Sequence, residues 1–84
     1  MRVLDVGSGP GDVAFLAAEL VGDSGSVTGT DKVPAAAALA RARAGGKSLR
    51  NVTFREGDPT EMTFDRPFDA IVGRGRRAGP FARR

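Results

Sequence analysis

The apolar positions of this chain fall into short blocks whose spacing alternates between that of a buried strand and that of a helix. Arg2-Val-Leu-Asp-Val6 is an apolar run that ends in Gly7, Gly9 and Gly11, which predicts a buried strand entering a tight loop. Past the loop, Val13, Leu16, Ala17 and Leu20 recur at the spacing of one helical face, with Asp12 as the candidate N-cap and Gly22 as the stop. Ser26 to Thr30, rich in Val and Thr and closed by Asp31, predicts a second strand. Pro34 then opens an alanine-rich helix that runs to Gly45-Gly46. Asn51 to Arg55 sets Val52 and Phe54 on one face and polar residues on the other, and Phe68 to Val72 is apolar apart from Asp69, which gives strands three and four. Between them, Gly57 to Pro67 carries prolines and scattered polar residues and reads as loop with at most a short helical turn.

Strands alternating with helices predict an α/β fold with a parallel sheet and right-handed crossovers. Ligands of such sheets bind beyond the carboxyl ends of the strands, where the strand order reverses. Gly7 to Gly11, Asp31, Asp58 and Gly73-Arg74 all lie just past predicted strand ends, so four loops converge on one edge. The outer edge of strand four has nothing in the sequence to cover it, which predicts a homodimer through that edge or misfolding.

Composition narrows the chemistry. The 84 residues suit one small domain, and 40% hydrophobic with 27% charged content is that of a soluble globular protein. The absence of Cys and His removes disulfides, thiolate or imidazole metal sites, and every triad that needs them, so no metal site is predicted. No apolar stretch reaches the ~20 residues of a membrane span, and Asp5 with its run of glycines does not resemble a cleaved signal, so the expected location is the cytoplasm.

The formal charge of +3 is unevenly distributed. Arg74, Arg76, Arg77, Arg83 and Arg84 lie together at the end; with them set aside, eight bases face ten acids, and residues 1–73 carry a net −2. The natural division is a folded unit over 1–74 and a basic tail over 75–84, whose Gly, Pro and Arg content predicts disorder. Only Phe81 interleaves with these arginines, so specific nucleic-acid binding is not expected.

The candidate chemistry begins at Asp5-Val-Gly7-Ser-Gly9-Pro-Gly11. Glycines at every second residue let the backbone turn sharply and pass close to a ligand, and the helix that follows presents unpaired N–H groups to an anion or a ligand carboxylate. A dinucleotide fingerprint would need its third glycine where Asp12 stands. An acid there would repel a pyrophosphate, which favours a ligand with one carboxylate and a cationic amine, and Asp5 can orient the loop or meet the amine. Asp31, at the end of strand two, stands where an acid accepts from both ribose hydroxyls. Asp58 is placed to accept from the exocyclic amino group of a purine. The structural alternatives are that Asp31 caps helix two, that Asp58 forms an Asx turn with Thr60, and that Asp12 is a cap rather than a ligand. Asp5 is harder to explain without a partner, because a buried carboxylate is costly. Phe15, Phe54, Phe64 and Phe68 read as core.

These residues resemble the class I S-adenosylmethionine-dependent methyltransferases, particularly the small-molecule branch: VLDVGSGPGDVAFLAAEL, VTGTD, NVTFREGDPTEMTF and PFDAIVGR follow one another in family order over roughly residues 2 to 74. The resemblance implies a partial Rossmann-like sheet of strand order 3-2-1-4 with flanking helices. It further implies that Asp5, Gly7, Ser8, Gly9 and Gly11 hold the methionine part of S-adenosyl-L-methionine and that Asp31 holds the ribose. Lys32 would lie near the adenine, Asp58 and Pro59 at the adenine edge, and Arg74 just past strand four, where the family's substrate side begins. The implied reaction is methyl transfer from the sulfonium to a small-molecule acceptor. The segments that usually bind that acceptor do not follow; the chain turns instead to GRGRRAGPFARR, which reads as a truncation or a shifted frame. No residue is assigned as a catalytic base. Two other readings stay open at this stage, a non-catalytic NAD-type nucleotide module and a ligand-free structural remnant.

Overall fold

The structure, a computed structural model, describes residues 1–73. Arg74 and the basic tail over 75–84 lie outside the described residues. Four parallel strands, β1 (Arg2–Val6), β2 (Ser26–Asp31), β3 (Val52–Glu56) and β4 (Ala70–Gly73), form one sheet in the order β3-β2-β1-β4. Helix α1 (Asp12–Val21) joins β1 to β2, and α2 (Pro34–Gly45) joins β2 to β3. The β3–β4 connection holds a single 3₁₀ turn, Pro59–Glu61, in the predicted loop. Strand order, parallel pairing and flanking helices match the Rossmann-like expectation.

Register sets the two faces of the sheet. Val3, Val27 and Val52 are in line across β1, β2 and β3, and with Ala14, Phe15, Ala18, Ala40 and Phe54 they make the core under α1 and α2. Leu4 points to the opposite face, where it lines a cleft with Pro59, Met62, Phe64, Phe68 and Ile71 from the connection and β4. Arg2 fastens that connection: its guanidinium lies 4.7 Å from the centre of the Phe68 ring and donates to the Arg66 carbonyl at 3.1 Å.

Two sequence expectations change. The predicted inward face of the first helix, Val13, Leu16, Ala17 and Leu20, is not the buried one: Ala14, Phe15 and Ala18 are buried, while Val13, Leu16 and Leu20 are exposed. Asp-Val-Ala-Phe-Leu-Ala-Ala-Glu-Leu-Val is apolar nearly all round, so periodicity alone could not fix its rotation. What fixes it is Phe15, which meets Phe54 edge-on at 5.5 Å, with two alanines letting the helix approach the sheet closely. Second, β4 starts at Ala70 and not at Phe68. The Asp69 carboxylate accepts the Arg2 N–H at 2.7 Å, taking a donor that a ladder carbonyl would otherwise receive.

Thr30 marks a local conflict. It is fully buried on β2, and its hydroxyl has no hydrogen-bond partner among the described residues. A buried polar group left without a partner costs free energy that an apolar group of the same shape does not. Thr30→Val is therefore expected to stabilise the fold by about 1 kcal/mol, seen as a higher urea midpoint at unchanged slope. A lower midpoint would mean that the hydroxyl is bonded.

Candidate cofactor site

The carboxyl ends of the four strands finish level, because Val6 is in register with Thr30 and Gly73, and Asp31 with Glu56. The glycine loop leaves β1 there. Gly7, Gly9 and Gly11 all have positive φ, at 69°, 56° and 100°, which explains glycine at alternate positions on steric grounds. Their surroundings differ. Gly7 is exposed and nothing lies within 4 Å of where its Cβ would be, so its backbone is open to a ligand. Gly11 is buried against Phe15 and Phe54 and, in place of the expected Asp12, is the residue that precedes the first turn of α1. Ser8 is only 2% exposed; its N–H donates to the Thr30 carbonyl at 2.8 Å and its carbonyl accepts the Gly11 N–H. Ser8 thus lies beneath the loop, leaving Gly7 on its outer side.

Asp31 joins the parts. One carboxylate oxygen accepts the Gly9 N–H at 2.8 Å, the other accepts the Val33 N–H at 2.9 Å, and its carbonyl accepts the Gly57 N–H at 2.8 Å. The glycine loop, the start of α2 and the exit of β3 therefore meet at one residue. The bond to Val33 closes an Asx turn just before α2 and is not a helix cap. Val33 itself is the N-cap, and no side chain caps the helix, so the capping role weighed from the sequence is not the one seen. Each carboxylate oxygen keeps a lone pair for a further donor.

Asp58 forms the Asx turn: one oxygen accepts both the N–H and the hydroxyl of Thr60, at 2.9 and 2.8 Å, and the other lies 3.7 Å from the Lys32 ammonium. The Thr60 N–H, with its hydroxyl and Lys32, holds this carboxyl below its ordinary range, so it remains an ionised acceptor. Pro59 is buried beside it. Asp5 is 2% exposed at the carboxyl end of β1, in register with Gly29, which lies between it and Phe54. Arg74 is outside the described residues. One contributor was not expected: Arg43 of α2 donates to the Pro10 carbonyl and to the Asp12 carboxylate, at 2.8 and 2.9 Å. Nothing in the repeating Ala-Arg pattern of that helix singles it out.

A hollow of about 550 Å³ between Ala18, Gly22, Leu49 and Asn51 opens near the far ends of the strands. Asn51 there donates to the Ala18 and Gly22 carbonyls and closes α1. The convergent acceptors and open backbone are at the loop edge, which makes that edge the candidate site. Among the described residues no cluster of His, Cys, Asp or Glu could hold a metal ion, and no helix is long and apolar enough to cross a membrane.

Comparison with known proteins identifies the family and the fold. Residues 1–76 match the methyltransferase domain family. Aklanonic acid methyltransferase DauC of Streptomyces sp. (strain C5) is 41% identical over 73 residues, covering 86% of this chain and 33% of the relative. The crystal structure of CrArsM, an arsenic(III) S-adenosylmethionine methyltransferase from Chlamydomonas reinhardtii, superposes with a TM-score of 0.73 at 38% identity, over 87% of this chain and 28% of that one. A protein-L-isoaspartate O-methyltransferase structure gives a TM-score of 0.81 at 28% identity, over 87% and 23%. The chain spans about a third of the length of the curated relatives it matches. Sheet order, glycine loop, and an acid at the end of β2 thus coincide with the matched region, and the chain belongs to the class I S-adenosylmethionine-dependent methyltransferases, of whose domain it carries the N-terminal part.

Proposed function

We propose that residues 1–74 bind S-adenosylmethionine for methyl transfer to a small-molecule acceptor, and that the acceptor is held by segments beyond this third of the enzyme. The observation that carries the reading is Asp31, whose carboxylate lies between the open glycine loop and the exit of β3 with acceptor capacity to spare. In this reading Asp31 takes the ribose hydroxyls. Gly7 and Gly9 admit the methionine part, Gly7 along its exposed backbone, with Asp5, Ser8 and Gly11 fixing the loop from beneath. Lys32, Asp58 and Pro59 border the adenine, and Arg74, outside the described residues, comes next in the chain after β4 and is assigned to the acceptor side by the family resemblance alone.

The relatives support this division. Their names specify aklanonic acid, arsenic(III) and protein isoaspartate, acceptors with little in common, while all share this region. What the region binds is then what they have in common. Two of the three acceptors are small, which supports a small acceptor here. The family match does not favour an NAD-type module or a ligand-free remnant.

When bound, the cofactor supplies a sulfonium methyl for in-line displacement, whose rate comes largely from alignment with the acceptor. The residues described here bind and orient the donor. A cytoplasmic location belongs to the same proposal, since a nucleoside cofactor is a metabolite of that compartment. So does a homodimer through β4, one of the two edge strands among the described residues, where Val72 is exposed. An exposed edge pairs readily with a second one. Light scattering is expected to give the mass of two chains, and a monodisperse monomer would remove the dimer from the proposal.

Calorimetric titration of the 84-residue chain tests the function. Saturable binding of S-adenosylmethionine and S-adenosylhomocysteine without binding of NAD is expected. A chain folded by circular dichroism that binds neither, or prefers NAD, would overturn it.

A further inference from the structure

We infer that Arg43, outside the ligand edge on α2, is a positioning residue that fixes the glycine loop and cancels the charge of Asp12, so that it governs the amino-acid end of the cofactor and not its nucleoside end. The inference rests on the cofactor reading above.

A loop with three glycines at positive φ loses much backbone freedom on ordering, so its shape has to be imposed by its neighbours. On its inner side, Ser8 and Gly9 are held by Thr30 and Asp31. On its outer side, Arg43 provides the fixing. One guanidinium nitrogen donates to the Pro10 carbonyl at 2.8 Å and another to Asp12 at 2.9 Å. Behind this fork, the guanidinium carbon lies 5.3 Å from the centre of the Phe15 ring, whose edge packs on Phe54. A planar fork stacked on an aromatic ring is pre-organised for two acceptors at once, which a lysine ammonium is not.

The same contact corrects the sequence argument about Asp12. Its carboxylate faces Arg43, so the acid at the start of α1 is neutralised by α2 and does not stand alone beside the loop. The partly positive helix N-terminus is then free to receive a ligand carboxylate. Loss of Arg43 has two consequences with one location: the Pro10 end of the loop is released, and a negative charge is uncovered next to the position of the methionine carboxylate. Among the described residues, the side-chain hydrogen bonds and ion pair of Asp31 and Asp58 go to Gly9, Val33, Thr60 and Lys32, and those of Arg43 go to Pro10 and Asp12.

The test compares S-adenosylhomocysteine with 5′-methylthioadenosine, which keeps the nucleoside and lacks the amino acid. Arg43→Ala is expected to weaken the first about tenfold or more and the second less than about twofold. Asp12→Asn added to Arg43→Ala should recover part of that loss, because it removes the uncovered charge. Arg43→Lys, which keeps the charge without the fork, should fall between wild type and Arg43→Ala; if Arg43→Ala loses its circular dichroism signal, this variant carries the comparison. Equal weakening of both ligands, or of neither, would show Arg43 to be structural only and overturn the inference. A wild-type chain that binds neither ligand overturns the cofactor reading instead.

Discussion

Asp31→Ala is expected to weaken S-adenosylhomocysteine binding by about one and a half to four orders of magnitude, more than the loss of a ribose contact accounts for. A charge-assisted hydrogen-bond pair to the ribose hydroxyls is worth about 1 to 3 kcal/mol. The structure adds a second loss, because the same carboxylate receives the Gly9 N–H and so holds the loop against β2. Without it, a part-buried N–H is left unpaired and the loop must be ordered by the ligand itself, at a further cost of about 1 to 3 kcal/mol. Each 1.4 kcal/mol is a factor of ten, so the two losses together give the expected range. Asp31→Asn separates them. An asparagine can accept from Gly9 or from Val33 but turns an NH₂ toward the other, so its affinity should lie between wild type and alanine. Titration of the three chains, each checked for fold by circular dichroism, measures the effect. An alanine variant that is folded and binds like wild type would take Asp31 out of the site.

How much of this was readable in advance differs between strand ends and helix faces. The strand order comes from the family resemblance, while the four strands and the convergence of Asp31, Asp58 and the glycine loop on one edge follow from short apolar runs closed by glycine and aspartate. These are local signals. The rotation of α1 is not local: the helix offers two apolar stripes, and the choice between them depends on Phe54, far along the chain. The inward place of Ser8 likewise depends on Gly29, whose missing side chain makes room for both Ser8 and Phe54. Arg43 lies at the same level. Its partners, Pro10 and Asp12, are 33 and 31 residues away, and in the sequence it is one basic residue of an alanine-rich helix. Pairings across elements set these features, and a single sequence does not print pairings.

The second large effect concerns stability. Gly11→Ala is expected to destabilise the fold by about 2 to 5 kcal/mol, combining backbone strain with overpacking. Gly11 has φ 100° and ψ 7°, a conformation that L side chains rarely adopt. Its Cβ would stand 2.9 Å from Phe15 Cε2 and 3.0 Å from Phe54 Cζ. Neither ring can yield cheaply: both are 4% exposed, they pack edge to face, and Arg43 and Lys47 close over Phe15 from outside. A domain this small has a stability near the lower end of about 5 to 15 kcal/mol, so the loss approaches the whole and the melting temperature should fall by at least about 10 °C. Gly7→Ala provides the contrast. It has the same sign of φ but open space at Cβ, so only strain is added and the chain should stay folded. Its methyl group would project where the backbone is open to the cofactor, and binding should fall instead. Thermal melts and titrations on the two variants therefore separate a glycine that packs from a glycine that admits a ligand. A Gly11→Ala chain that melts like wild type would show that the loop does not sit on the two rings, and the geometry proposed for the methionine pocket would have to be redrawn.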